Sequence, residues 1–175
     1  MVSMDDFEKN LRDREDRRKL DKLADSTVRA DQKVVEDYLR AHSRTEFAKI
    51  AAALPGLVER ANGIIGNDPH KYVVGVSPTA VMRGIVSAEL LFHQAFQNYG
   101  DVSVSLTVGA RPVTPPRVQA PANRTFEFSP VHTEASQIQW RAKRQGEFSS
   151  EKLAEFIVMQ VSDYYDEMVR RIQKP

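Results

Sequence analysis

Apolar positions recur every three to four residues over three parts of the chain and alternate strictly over others, and the switches between these periods set the expected elements. The longest apolar stretch, Ser77 to Gly100, places Val81, Ile85, Ala88, Phe92, Ala95, Phe96 and Tyr99 on one side of a 3.6-residue spiral. Ser77 suits an N-cap, Pro78 the first helical position and Gly100 a left-handed C-terminal turn, so the pattern predicts a central core helix. A second spiral, Leu153, Ile157, Val161, Tyr164, Tyr165, Met168 and Ile172, predicts a C-terminal helix. Its start at Ser149 is framed by a hydrophobic staple of Phe148 on Leu153, and Phe156 and Met159 fall on its otherwise polar side.

Alternation marks the strands. Val102, Val104, Leu106 and Val108 alternate with Ser103, Ser105 and Thr107, which predicts a half-buried strand. Lys71 to Val76, Arg124 to Ser129 and Gln137 to Arg141 read as further strands, the last bringing Ile138 and Trp140 to one face. Between them, residues 110–123 hold four prolines and no periodicity, the pattern of a long loop or extended arm.

The N-terminal third reads differently. From Asp5 to Lys19 six acids balance six bases, with Asp5/Lys9, Glu8/Arg12, Asp13/Arg17 and Glu15/Lys19 each placing an acid four residues before a base. Such pairs contribute about 0.2 to 0.5 kcal/mol each and sustain a helix that buries almost nothing. Leu20, Leu23, Thr27, Ala30, Val34 and Ala41 then follow a three-four spacing interrupted by Asp31 and Asp37, which fits a solvated helix or an intermolecular coiled coil. Ser43 and Glu46 have capping-box spacing and predict a new helix there, hence an αα-hairpin with its turn at 41–43. The stripe Phe47, Ile50, Leu54, Leu57, Val58, Ala61 and Ile65 keeps its phase through Pro55, where a kink or restart is expected.

Together these elements predict an α+β fold: a small, mainly antiparallel sheet packed by a central helix and a C-terminal helix, with a long N-terminal helical arm or hairpin. The arm is expected over residues 1–42 and a single α+β domain over 43–175.

Composition narrows the function classes. A net charge of +1 gives no global field toward nucleic acid or membranes, and the absence of cysteine removes thiol nucleophiles, thiolate metal sites and disulfides. No signal-like start or membrane-length apolar run is present, so a cytoplasmic location is expected. No nucleophile elbow, phosphate loop or dinucleotide fingerprint occurs. The spacing His132-Thr133-Glu134 fits zinc deaminases only with a cysteine pair that this chain lacks. Glu89 and His93, four apart on the expected helix and within reach of ligands from Asp68 and His70, are the one acid-base or metal candidate; helical chance explains the pair as well. No catalytic residue, metal ligand or cofactor is assigned.

The sequence therefore points to a non-catalytic interaction or assembly protein with protein partners, itself a homo-oligomer, and no membrane association. Its arm and its proline/arginine loop would dock partners, with Phe156, Met159, Arg111 and Arg117 as contact residues. The alternative is a nucleic-acid accessory protein in which Arg124, Arg141, Lys143 and Arg144 grip phosphates and Trp140 stacks on a base. A third reading is a small-ligand binder or enzyme without a recognisable motif.

Overall fold

The computed structural model describes residues 4–94, 102–112 and 119–173, with side chains described from residue 12 onward. The fold is α+β. Helix α1 spans Met4–Ile65, strands β1 to β7 follow, and helix α2 spans Ser150–Gln173. The strands are β1 (Tyr72–Val74), β2 (Ala80–Arg83), β3 (Val86–Gln94), β4 (Val102–Ala110), β5 (Arg124–His132), β6 (Ile138–Ala142) and β7 (Gly146–Phe148). They form one seven-stranded antiparallel meander in chain order. The chain divides into two compact units, residues 1–38 and 39–175, with α1 contributing to both.

The central helix expected at 77–100 is instead a turn and a β-hairpin, as far as the described residues extend; 95–100 lie outside them. Ser77 and Pro78 begin a β-turn closed by the Ala80 N–H donating to the Ser77 carbonyl at 2.9 Å. Arg83 pairs with Val86, so Gly84 and Ile85 form a two-residue loop, and Gly84 adopts φ 58°. Glycine at the first loop position is what a type II′ hairpin needs to follow the right-handed twist of its strands. The apolar residues that fit a helical spiral also fit alternation: Val86, Ala88 and Leu90 are buried, whereas Glu89, Leu91 and His93 are exposed. Long-range pairing of β3 with β4, from Val86↔Ala110 to Gln94↔Val102, decides between the two periods.

The αα-hairpin is likewise replaced by one continuous helix through residues 41–43 and on through Pro55. Glu46 does not close a capping box; its carboxylate pairs with Lys49 at 2.5 Å and faces the Ser150 hydroxyl at 3.2 Å. The stripe beyond it behaves as expected, with Ile50, Leu54 and Val58 buried. The later expected strands appear as β1, β4, β5 and β6. Strand β7 has no counterpart in the sequence reading, since three residues are too few to show a period.

Register alternation gives the sheet one apolar face. Val81, Ala88, Leu90, Leu106, Val108, Phe128 and Trp140 lie on it and belong to a single buried cluster. The buried arc of α2, from Leu153 through Ile157 and Val161 to Tyr164, covers this face together with the 39–65 part of α1. Ile172, expected at the end of that arc, is exposed. Ser149 caps α2, accepting from the Lys152 N–H at 3.2 Å.

Trp140 fixes three elements at one point. It is fully buried, and its Nε1–H donates to the Ser150 hydroxyl at 3.2 Å, which in turn lies 3.0 Å from the Glu46 carbonyl. Trp140→Ala is expected to lower the unfolding free energy by about 3 to 5 kcal/mol. Leu91→Ala, on the opposite face of the sheet, should change it by under about 0.5 kcal/mol. Urea titration of both variants checks the assignment of the two faces.

Candidate interaction surface

The arm carries several large apolar side chains in solvent. Leu20, Leu23 and Val34 are 65%, 63% and 69% exposed, and Val28 is more than half exposed. On a helix, Leu20, Leu23, Thr27, Ala30 and Val34 fall at alternating spacings of three and four, on one side of α1. The expected pairs Asp13/Arg17 and Glu15/Lys19 are not formed; Arg18 pairs instead with Glu15 at 2.9 Å and Lys19 with Asp16 at 3.7 Å, each three residues apart. Both pairs are exposed, so each contributes only tenths of a kcal/mol. Asp5/Lys9 and Glu8/Arg12 involve side chains outside the described ones.

Of the expected contact residues, Met159 is exposed on α2. Phe156 is half-buried in an aromatic cluster, its ring centroid 5.1 Å from Phe126, 6.0 Å from Phe128 and 5.2 Å from Phe148. Arg111 is exposed, with its backbone N–H donating to the Ile85 carbonyl at 2.8 Å and its guanidinium against the Met82 sulfur. Arg117 lies outside the described residues.

The residues of the nucleic-acid alternative are not assembled into one patch. Trp140 has no exposed face on which a base could stack. Arg124 ties β5 to α2, donating to Glu167 at 2.9 Å and to Gln160 at 3.3 Å. Its guanidinium carbon lies 5.6 Å from the centre of the Tyr164 ring. Arg141 pairs across the ladder with Glu147, leaving Lys143 and Arg144 exposed in the β6–β7 turn. Hydrogen bonds from Arg171 and Arg124 hold the Glu167 carboxyl below the ordinary range.

Glu89 and His93 lie on one strand, not a helix, and four residues of strand separate them by about 13 Å. His93 Nε2 meets the Ser105 hydroxyl at 2.7 Å on the adjacent strand. Among the described residues no three His, Asp or Glu side chains gather as a metal ion requires, and no helix is long and apolar enough to cross a membrane.

One polar constellation escaped the sequence reading. Arg83 is 6% exposed and lies between two tyrosine rings, 4.9 Å from the Tyr72 centroid and 4.0 Å from that of Tyr165. It donates to the His70 carbonyl at 3.1 Å, to the Tyr72 hydroxyl at 3.2 Å and to Asp68 Oδ2 at 3.1 Å. His70 shares a 2.6 Å hydrogen bond with the Tyr165 hydroxyl, and Asn62 brackets the Tyr72 backbone at 2.7 and 2.9 Å. The cluster therefore locks the end of α1, the 66–71 turn, the first hairpin and α2 together. The only sequence signal is Arg83 before Gly84, readable once a hairpin is assumed.

The His70 N–H and then the Arg83 charge hold the Asp68 carboxyl below its ordinary 3.8, against an opposing effect of burial. Burial pushes the Tyr165 hydroxyl up, with the nearby Asp68 charge adding to it. All three Arg83 nitrogens are occupied by the chain's own acceptors, which suits a structural clamp better than a ligand site.

One antiparallel sheet, a long N-terminal helix and a C-terminal helix define an α+β protein. Comparison of the chain with protein-family models, with curated proteins and with solved structures finds no match.

Arg83→Ala is expected to cost about 2 to 4 kcal/mol in urea unfolding. Arg83→Lys should recover little, because an ammonium cannot serve the three acceptors and both rings. A carboxyl with a depressed folded pKa stabilises above its unfolded value and loses that contribution as pH falls through the folded one. The stability advantage of the native chain over Asp68→Asn should therefore be full near neutrality and vanish below the ordinary aspartate range, as thermal melts across pH would read.

Proposed function

We propose that this chain is a non-catalytic assembly protein that self-associates through its N-terminal helical arm and presents its α+β unit, with the proline/arginine segment 110–123, to protein partners. The exposed stripe of Leu20, Leu23 and Val34 carries the reading. Helices of this kind draw most of their stability from packing an apolar face, and this face has several large side chains in water. Closed two-fold pairs are the commonest way for one sequence to cover such a face. Met159 and Arg111 are exposed and available to a partner on the second unit. A cysteine-free chain whose described helices are unsuited to crossing a membrane fits the cytoplasm, where the reading puts it.

Light scattering against concentration tests this directly. The full chain should exceed its 19.8 kDa monomer mass as concentration rises. The full-length double variant Leu20→Asp/Leu23→Asp should stay at the monomer mass with an unchanged melt of the α+β unit. A native chain that is monomeric at every concentration would overturn the reading.

A further inference from the structure

We propose that Asn62 seals the β1 edge of the sheet by standing in for the next strand, and that β1 of a second copy pairs there when Asn62 is removed. Among the described strands, β1 and β7 are the two edges, and an edge strand offers its outward backbone groups to any further strand. The two edges are guarded differently. On β7 the middle residue on the outer face of the sheet is Glu147, ion-paired with Arg141, and a charge there disfavours strand addition. On β1 the corresponding residue is Val73, which is 52% exposed. Its surroundings read KYVVGV, and the one charge, Lys71, is turned onto the Gly66 carbonyl. Short β-prone runs of low charge are the segments that recruit other strands.

The geometry at Tyr72 supplies the guard that composition lacks. The Gly75 N–H donates to the Ala80 carbonyl at 2.7 Å, so Gly75 faces β2. Alternation along an antiparallel ladder then turns Val73 toward β2 as well, and Tyr72 and Val74 outward. Both outward groups of Tyr72 are taken by one side chain: its N–H donates to Asn62 Oδ1 at 2.7 Å, and its carbonyl accepts from Asn62 Nδ2 at 2.9 Å. A carboxamide carries one acceptor beside its donors, as a peptide unit does, so this exchange copies the two-bond pair of an antiparallel ladder without a strand. Helix propensity does not account for asparagine at this position of α1, since alanine is the better helix former. Once Asn62 is removed, the group that fits the same two bonds is Tyr72 of a second copy. A two-fold axis at this edge sets residue 72 opposite itself, and the two copies exchange both bonds.

The test uses the full chain carrying Leu20→Asp/Leu23→Asp, so that pairing through the arm does not contribute. Adding Asn62→Ala should raise the mass seen by light scattering from 19.8 kDa toward twice that value as concentration increases, while the background chain does not change. At low concentration the Tyr72 amide should exchange about tenfold faster than in the background, and at high concentration it should regain its protection, with the β4 amides unaltered. Adding Val73→Lys to Asn62→Ala puts a charge on the edge and should restore the background mass. If Asn62→Ala keeps the background mass and Tyr72 exchanges fast at every concentration, Asn62 is a structural tie alone and the inference is overturned. Association that persists with Val73→Lys and leaves Tyr72 unprotected runs through another surface and overturns it too. Should the β4 amides lose protection in Asn62→Ala, the same measurements on Asn62→Ser decide between these outcomes. A background chain that itself exceeds 19.8 kDa counts against the arm reading only, and the effect of Asn62→Ala is then the increase over it.

Discussion

A seven-stranded meander with one apolar face cannot stand in water, and the need to cover that face organises the second unit. Alternation along β3, β4 and β6 puts Leu90, Leu106 and Trp140 on the same side, while serines, threonines and charged residues take the other. Helix α2 and the 39–65 part of α1 supply the cover. Burying side chains of this size contributes about 1.5 to 3 kcal/mol each before the entropy of ordering them is counted. Among the described residues, Leu20, Leu23, Val28 and Val34 of α1 remain in solvent.

Polar groups fix the orientation that apolar burial alone leaves loose. Trp140, Ser150 and Glu46 join sheet and both helices through two hydrogen bonds. Arg83 does the same at another point, where its planar group fills the space between Tyr72 and Tyr165 while all three nitrogens donate. Truncating any one of these partners leaves another buried polar group unsatisfied, which is why these points are brittle although the total hydrogen-bond contribution is modest. Arg124 and Glu167 form a third, more exposed tie from β5 to α2.

The class of fold was legible because period and length agree in most segments. Val102 to Val108 has only one reading, and the α2 spiral is too long for a strand. Residues 77–94 have two readings, since Val81, Ile85, Ala88 and Phe92 satisfy the helical spacing while Val86, Ala88 and Leu90 satisfy alternation. Gly84 could have broken the tie, because glycine costs little in a hairpin turn and about 1 kcal/mol relative to alanine within a helix. The Ser43/Glu46 capping signal misled for a non-local reason: Glu46 is engaged by Ser150, 104 residues away. The Arg83 clamp was hidden in the same way, its partners arriving from the 66–71 turn, β1 and α2. Trp140, by contrast, was open to a core reading because it alternates in step with Ile138.

The proposed self-association applies the solvent constraint of the sheet between copies of the arm instead of within one. Amide hydrogen exchange over residues 12–38, measured on the native chain at low and high concentration, probes this most directly. Self-pairing predicts that protection of residues 20–34 rises with concentration while that of β4 does not change. Equal, fast exchange of the arm at both concentrations would contradict it.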